Sequence, residues 1–196
     1  MMTVRQMQRL WDTRQYKRLS EEISSQRIEA IAMRELAPRP AIAAAAWGLI
    51  RLDELNQPHV PLCRILISAI LGSQDPDGGW GDVALTALAL RALSLWNGHG
   101  PTVDRGMSYL AALQQPAGIW PRIPIRRLSA DALVSAFVLL QLADNAQFRT
   151  AVDFNAAVNW FQFHACETDP AAQTLWTHAR PRGVVRSQGT LFQPAN

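Results

Sequence analysis

The sequence predicts an all-α protein built from repeated helical hairpins, and two observations carry this prediction. Residues 83–96 are almost entirely Ala, Leu and Thr, and residues 61–71 before them are equally apolar, so both stretches are predicted to be buried helices. Residues 74–82 between them are rich in Gly, Pro and Asp, which cannot continue either helix and must turn the chain sharply. The second observation is that this corner recurs about 40 residues later.

The second corner repeats residues of the first at the same offsets. The shared residues are Gln74, Gly78 and Trp80 in the first corner and Gln114, Gly118 and Trp120 in the second. The sequences that follow, residues 86–93 and 135–142, also echo each other, after an insertion of about nine residues in the second copy. Such self-similarity indicates stacked supersecondary units, because one hairpin alone is unable to bury its apolar face.

Residues 74–81 read Gln-Asp-Pro-Asp-Gly-Gly-Trp-Gly and lead into a Thr- and Ala-rich helix. This motif resembles the glutamine–tryptophan repeat of the superfamily that contains the squalene-hopene cyclases and the β-subunits of protein prenyltransferases. The resemblance covers roughly residues 59–146; the second copy keeps Gln and Trp but loses the Asp and the second Gly. It implies the α/α-toroid fold. Because the chain holds about half the hairpins of a closed ring, we expect a partial α/α-toroid.

By the same resemblance, the repeated residues of the two corners are expected to be structural. The glutamine amide is expected to bridge backbone groups at the corner, and the indole to pack between adjacent hairpins. The residues concerned are Gln74, Asp77, Gly79, Trp80, Gln114, Gly118 and Trp120.

Residues 1–37 form the first predicted unit, which has no counterpart in the repeats. Helix formers fill residues 3–36, and apolar residues recur along them with one slip in period, so we predict a bent helix or two helices, the second capped by Ser20. The apolar positions are Val4, Met7, Trp11, Leu19, Ile23, Ile28, Ile31 and Leu36. A cap over the first repeat is favoured over a helix offered to a partner.

The repeat domain is predicted to span residues 38–179. Its predicted helices cover residues 41–55, 60–71, 83–96, 102–115, 130–142, 151–166 and 170–177. Pro101 suits the first turn of helix 102–115, and Ser129 is the predicted cap of helix 130–142. From Arg180 on, Pro and Gly with few apolar residues predict a flexible tail over residues 180–196.

Composition narrows the class of protein. At 196 residues, 48% hydrophobic and 18% charged, the chain is long enough for one domain with a core. Its net charge of +3 does not by itself argue for nucleic acid. Cys63 and Cys166 lie in apolar helical sequence and are predicted to be reduced and buried. No apolar run resembles a secretory signal or spans a bilayer, so we expect a cytoplasmic protein.

The resemblance directs attention to two catalytic motifs. The cyclases protonate their substrate with Asp-x-Asp-Asp, and the nearest match here, Asp75 with Asp77, lies inside the corner, where turning and capping explain it better. The prenyltransferases use zinc held by Asp, Cys and His. His164 and Cys166 are two residues apart and point to different sides of a helix, so we predict no metal and no cofactor.

Arg122, Arg126 and Arg127 are the most specific remaining signal. They lie in the insertion after the second corner, where several guanidinium groups together suit a diphosphate, a carboxylate or an acidic protein surface. The alternative is a solvated loop whose arginines pair with Asp131 or with nothing, and the sequence favours that alternative slightly.

Aromatic residues provide two further candidates. Phe161, Phe163 and Trp176 have only a short helix and a tail to cover them, so we predict an interface there with a second copy or another protein. The tryptophans as a group suit core and repeat junctions, or the lining of a pocket for an isoprenoid. They are Trp47, Trp80, Trp96, Trp120, Trp160 and Trp176.

The sequence therefore predicts a non-catalytic helical-repeat binding or scaffold protein that binds a protein partner or an apolar or anionic ligand. The alternative is an enzyme or accessory subunit that acts on an isoprenoid substrate. The missing acid and zinc motifs favour the first hypothesis.

Overall fold

The structure, a computed structural model, describes residues 39–56, 59–96 and 100–183. Within these ranges the chain forms eight α-helices and no strands, so the all-α prediction is confirmed. The helices are α1 (Pro40–Glu54), α2 (Val60–Leu71), α3 (Val83–Trp96), α4 (Pro101–Leu113), α5 (Ala132–Leu142), α6 (Ala146–Ala151), α7 (Phe154–His164) and α8 (Pro170–Gly183), with a short 3-10 helix, Ala165–Glu167, before the last. The predicted unit 1–37 lies outside the described residues.

The central pair of helices, α3 and α5, forms the middle of the core. α3 packs against α1 and α5, and α5 packs against α8, while α2 joins α1 and α4 joins α3. Every residue of α5 from Val134 to Leu142 is buried, and α3 is buried from Val83 to Leu90. Both helices consist almost entirely of Ala, Leu, Val and Phe, which lets them pack on all sides.

Helix starts combine proline in the first turn with side-chain caps. Proline occupies the first turn of α1, α2 and α4, where its missing N–H costs no hydrogen bond. At α5 the Asp131 carboxylate accepts a hydrogen bond of 3.0 Å from the Val134 N–H. The predicted cap at Ser129 is therefore wrong, because Asp131 provides the acceptor and the helix begins after it.

The helix predicted over residues 151–166 is shorter in the structure, Phe154–His164, and a separate helix that was not predicted, Ala146–Ala151, precedes it. α6 ends at Ala151 and α7 begins at Phe154. Between them, the Asp153 N–H donates to Gln114 Oε1 at 2.8 Å, and the Asp153 carbonyl accepts from Gln114 Nε2 at 3.0 Å. Gln114 thus takes the Asp153 N–H, which a continuous helix would need, while the Asp153 carbonyl still accepts the first hydrogen bond of α7 from the Ala157 N–H at 3.2 Å.

The last helix extends beyond its predicted end at residue 177. α8 continues to Gly183 and packs against α5. Its buried residues recur at helical spacing and are Ala172, Leu175, Trp176 and Ala179. These residues hold α8 against the core up to Ala179, and the helix continues over residues 180–183, where the sequence predicts a flexible tail. The remainder of the predicted tail lies outside the described residues.

Candidate functional site

The first corner is held by side chains that bind the backbone. Gln74 Nε2 donates to the carbonyls of Gly78 and Thr102, both at 2.8 Å. The indole N–H of Trp80 donates to the Ile70 carbonyl of α2 at 2.7 Å, and its backbone N–H donates to Thr86 at 3.0 Å. These bonds fix the corner to the helix before it, to the helix after it and to α4.

The second corner makes the same set of bonds. Gln114 Nε2 donates to the Gly118 carbonyl at 2.8 Å and to the Asp153 carbonyl at 3.0 Å. The Trp120 indole donates to the Leu110 carbonyl at 2.8 Å, and its backbone N–H donates to Ser135 Oγ at 2.8 Å. Both tryptophans are fully buried, so neither ring is exposed to a ligand.

Glycines let neighbouring segments approach the corners closely. Gly78 and Gly118 have φ of 93° and 88°, a backbone conformation that other residues rarely adopt. A Cβ on Gly118 would lie 2.4 Å from the carbonyl carbon of Ala156, and one on Gly79 would lie 2.6 Å from the ring of Tyr109. These positions accept only glycine, because the approaching atoms belong to backbone or to a packed ring.

The carboxylates of the first corner are occupied by structural contacts. Asp75 Oδ1 accepts from Arg39 at 2.9 Å, and Asp77 Oδ1 accepts from the Gly79 N–H at 2.9 Å. Asp82 caps α3 by accepting from the Leu85 N–H at 2.7 Å. Each of these contacts turns the chain or starts a helix.

Burial raises the pKa of Asp82 from 3.8 to about 6, while hydrogen bonds from the Leu85 and Ala84 N–H groups and the positive charge of Arg122 act in the opposite direction. Tyr109 lies nearby. Its hydroxyl is buried without a hydrogen-bond partner among the described residues, and burial together with the negative charges of Asp77, Asp82 and Asp75 raises its pKa. Neither Asp82 nor Tyr109 stands out in the sequence, where the only signal is an Asp placed directly before an apolar helix.

The insertion after Trp120 forms a loop, here named the arginine loop, residues 122–129. Its base is closed by a bridge between Pro121 and Ala130 and by a 2.8 Å hydrogen bond from the Asp131 N–H to the Trp120 carbonyl. The Gln115 amide donates to carbonyls inside the loop, those of Arg126 and Leu128. The loop is therefore held at its base by the bridge and along its length by the Gln115 side chain.

The arginine loop presents apolar and basic side chains to solvent together. Ile123, Ile125 and Leu128 are 55%, 52% and 41% exposed. Arg122, Arg126 and Arg127 are exposed too, and none of them pairs within 4 Å with a described carboxylate. Asp131, considered as a partner for these arginines, instead caps α5. The positive charge of Arg122 opposes the rise that burial causes in the pKa of Asp82.

A groove of about 700 Å³ lies along one face of α2 and is also lined by Trp96. The described lining residues recur at helical spacing on α2 and contain no carboxylate; they are Val60, Cys63, Arg64, Ile67, Ser68, Leu71, Gly72 and Trp96. The Trp96 indole donates to the Leu49 carbonyl at 3.3 Å, which fixes the ring. Trp96 is the one member of the tryptophan group among these lining residues.

The three predicted interface aromatics differ in exposure. Phe161 and Trp176 are buried and stack on each other, with ring centroids 5.0 Å apart, so they contribute to the chain's own core. The prediction that these two rings face a partner is wrong, because α8 docks on α5 and covers them. Phe163 is 79% exposed and remains on the surface.

The metal and thiol candidates are also separated. Within the described ranges, no three potential metal ligands lie together. The His164 ring stacks on Trp160, with Nδ1 2.9 Å from the Trp160 carbonyl. Both cysteines are free thiols: Cys63 is buried, but Cys166 is exposed, because it lies in the short helix that links α7 and α8 at the surface.

In the part of the chain that the structure describes, no helix has both the length and the apolar character needed to cross a bilayer. Comparison with protein-family models, with curated proteins and with solved structures finds no match for this chain.

Proposed function

We propose that this protein is a non-catalytic helical-repeat binding protein and that the arginine loop is its binding element. The observation that carries the proposal is the loop itself, an ordered insertion that exposes three aliphatic side chains among three arginines. Exposed apolar surface of this kind is typical of interaction sites, and a loop that only connects two elements has no need of it.

The structure of the loop indicates the chemistry of its partner. Guanidinium groups suit carboxylates, and Ile123, Ile125 and Leu128 suit an apolar surface. Because the Gln115 amide and the bridge at Pro121 already order the loop, binding costs less conformational entropy than it would for a mobile segment. The partner is therefore a protein with an apolar patch bordered by Asp or Glu.

The architecture behind this proposal is a partial α/α-toroid. The equivalent hydrogen bonds of the two corners support it, since in both the Trp joins a preceding and a following helix and the Gln joins a later segment. In such an array the corners hold the hairpins together, and an insertion between Trp120 and Asp131 adds a surface without replacing a structural residue.

The alternative is an enzyme that acts on an isoprenoid substrate, and Asp82 is the observation in its favour. A carboxyl group with a pKa of about 6 can exchange protons near neutral pH. Against this, Asp82 is committed to capping α3, and the described groove residues on α2 include no carboxylate. These contacts support binding over acid catalysis.

The proposal is tested with a synthetic amphipathic peptide of Leu and Glu, whose binding is followed by fluorescence anisotropy. Two matched peptides carry Lys in place of Glu or Ser in place of Leu. The first peptide should bind, and the two matched peptides should bind at least about tenfold more weakly, because each lacks one half of the complementary chemistry.

The variant Arg126→Gln, Arg127→Gln, Ile125→Ser should weaken binding of the Leu and Glu peptide by at least about tenfold. The control variant Arg64→Gln, Ile65→Ser makes similar changes on α2 and should leave binding unchanged. Equal affinity of the loop variant and the original protein would refute the proposal. Turnover of an isoprenoid diphosphate that Asp82→Asn abolishes would establish the enzyme instead.

A further inference from the structure

The groove along α2 and Trp96, here named the α2 groove, has the size and lining of a binding site for a small molecule. Its volume is about 700 Å³, and small-molecule sites have volumes of roughly 300 to 1,000 Å³. Most of its described lining residues are apolar, and few polar groups lie among them, which is also typical of such sites. A ligand of this groove must therefore bury an apolar part.

Apolar side chains line the α2 groove along the length of the helix. Ile67 and Leu71 lie one helical turn apart on the lining face, and Val60 lies at the start of the helix. Trp96 lines the same groove, and its indole N–H is bonded to the Leu49 carbonyl, so the ring is held in place. From Val60 to Leu71 the helix rises by roughly 16 Å, which suits an extended hydrocarbon chain better than a compact ring.

Arg64 gives the α2 groove a positive charge. It is exposed, it is the one charged residue of α2, and it forms no ion pair within 4 Å with a described carboxylate. Two backbone donors of the first turn are already used, since the Leu62 N–H donates to His59 Nδ1 at 3.2 Å and the Cys63 N–H donates to the His59 carbonyl at 2.9 Å. An anionic group in the groove would therefore pair with the Arg64 guanidinium.

The charge of α2 also distinguishes between possible occupants. A second copy that packed its own α2 here would add another Arg64 and no carboxylate from that helix, and like charges in an interface are unfavourable. A carboxylate carries one negative charge, which one guanidinium balances and can bind in a bidentate manner, whereas a phosphate carries up to two. The groove therefore suits an apolar molecule with one carboxylate.

We propose that the α2 groove binds an amphiphile with a single hydrocarbon chain and a carboxylate head group, of which a fatty acid is the simplest example. The carboxylate pairs with Arg64, and the chain lies along α2 against Ile67, Leu71 and Trp96. No residue of the arginine loop takes part, so this site goes beyond the proposed function and does not depend on it.

The test is isothermal titration calorimetry of the full chain with decanoate below its micelle concentration. Decanoate should bind, and decyltrimethylammonium and decyl phosphate, with the same chain, should bind more weakly, the cation by at least about tenfold because Arg64 repels its head group. Octanoate, which is two methylenes shorter, should bind about fifteenfold more weakly than decanoate, since each methylene buried in the groove contributes about fourfold in affinity.

Variants of exposed residues assign the two parts of the ligand. Arg64→Gln should weaken decanoate binding by at least about tenfold and leave decanol binding unchanged, because only the acid uses the charge. Arg64→Lys keeps the charge and should weaken decanoate binding less. Leu71→Ser should weaken decanoate and decanol alike, because it removes apolar surface from the groove. Ile65→Ser, on α2 but not among the described lining residues, is the matched control and should change neither affinity. Circular dichroism checks that each variant is folded.

Four results would overturn the proposal. Equal decanoate affinity of Arg64→Gln and the original protein would show that the head group is not bound at Arg64, and equal affinity for octanoate and decanoate would show that the chain is not buried. Tighter binding of decyl phosphate than of decanoate would assign a different head group. Dimer formation that Leu71→Ser abolishes, without decanoate binding, would show that a second copy covers the groove. None of these results affects binding of the Leu and Glu peptide to the arginine loop.

Discussion

The two corners share one set of hydrogen bonds made by Gln and Trp, here named the joint. They differ in the number of residues between the Trp and the next helix. In each corner the backbone N–H of the Trp donates to a hydroxyl of that helix, Thr86 in the first and Ser135 in the second. The hydroxyl lies six residues after the Trp in the first corner and fifteen in the second. The joint therefore stays intact while the chain between Trp and helix cap varies in length.

This difference separates residues that hold the fold from residues that are open to change. Gln, Gly and Trp are fixed by contacts with distant backbone, such as the bond between Gln114 and Asp153. The bridge between Pro121 and Ala130 closes the span between them at its base, so the residues of this span take no part in the hydrogen bonds of the joint. Insertions at such a position add surface at low thermodynamic cost, because loop closure entropy rises slowly with length.

The largest expected effect tests whether the joints are equivalent. Trp80→Ala and Trp120→Ala should each lower the free energy of unfolding by about 3 to 5 kcal/mol, because each removes a fully buried indole and its hydrogen bond. Urea unfolding measures both. Trp47→Ala removes a half-buried ring and should lower the free energy of unfolding clearly less. A corner variant that unfolds like the original protein would show that its corner does not hold the hairpins together.

The second prediction uses a difference between the two helix caps. Asp82 and Asp131 both cap a helix, and Asp82 is the more buried of the two. Burial raises the pKa of Asp82 to about 6. The unfolded carboxyl loses its proton near its ordinary pKa of 3.8, so between these values the folded state binds more protons. The contribution of Asp82 to the free energy of unfolding therefore decreases as the pH rises from 3.8 to about 6 and stays low above it.

Asp82→Asn should accordingly raise the free energy of unfolding by about 2 to 3 kcal/mol at pH 7 and have little effect at pH 4, because Asn caps a helix about as well as Asp. Asp131→Asn is the matched control for replacing a carboxylate helix cap at a less buried position. Urea unfolding at several pH values measures both variants. Parallel pH profiles for Asp82→Asn and the original protein would contradict the assigned cost of burying this carboxyl group.

Sequence reasoning predicted the features of the fold that local chemistry determines. The corners follow from Gly, Pro and Asp between apolar runs, and the starts of α1, α2 and α4 follow from proline. The break before Phe154 was not predictable in this way, because it depends on Gln114, a side chain 39 residues earlier than its partner Asp153. Local patterns carry no information about such a bond.

The candidate site, too, was predictable only where local sequence determines it. The position of the three arginines in an insertion was visible in the sequence, but the exposure of Ile123, Ile125 and Leu128 depends on how the base of the loop closes. Phe161 and Trp176 looked unprotected because their cover, the docking of α8 on α5, is a tertiary contact. The pKa of Asp82 likewise follows from burial that no single stretch of sequence reveals.

The smallest expected effect on stability comes from making the second corner resemble the first. Replacing residues 121–130 with a single Gly gives Trp-Gly-Asp, the order found at Trp80, Gly81 and Asp82. Gly is required because Gly81 has φ of 97°. The exposed bonds from Gln115 are lost and the loop becomes shorter, so we expect a change in the free energy of unfolding of at most about 1 kcal/mol.

The same replacement should abolish binding of the Leu and Glu peptide, since all three arginines and all three aliphatic residues of the loop are gone. A control loop of equal length made of Gly and Ser should also fail to bind, while keeping the original spacing between Trp120 and Asp131. Urea unfolding measures the stability of the shortened protein, and fluorescence anisotropy measures its binding of the peptide. If the shortened protein unfolds at much lower urea, the joint depends on the loop, and the separation between a structural corner and a binding insertion is wrong.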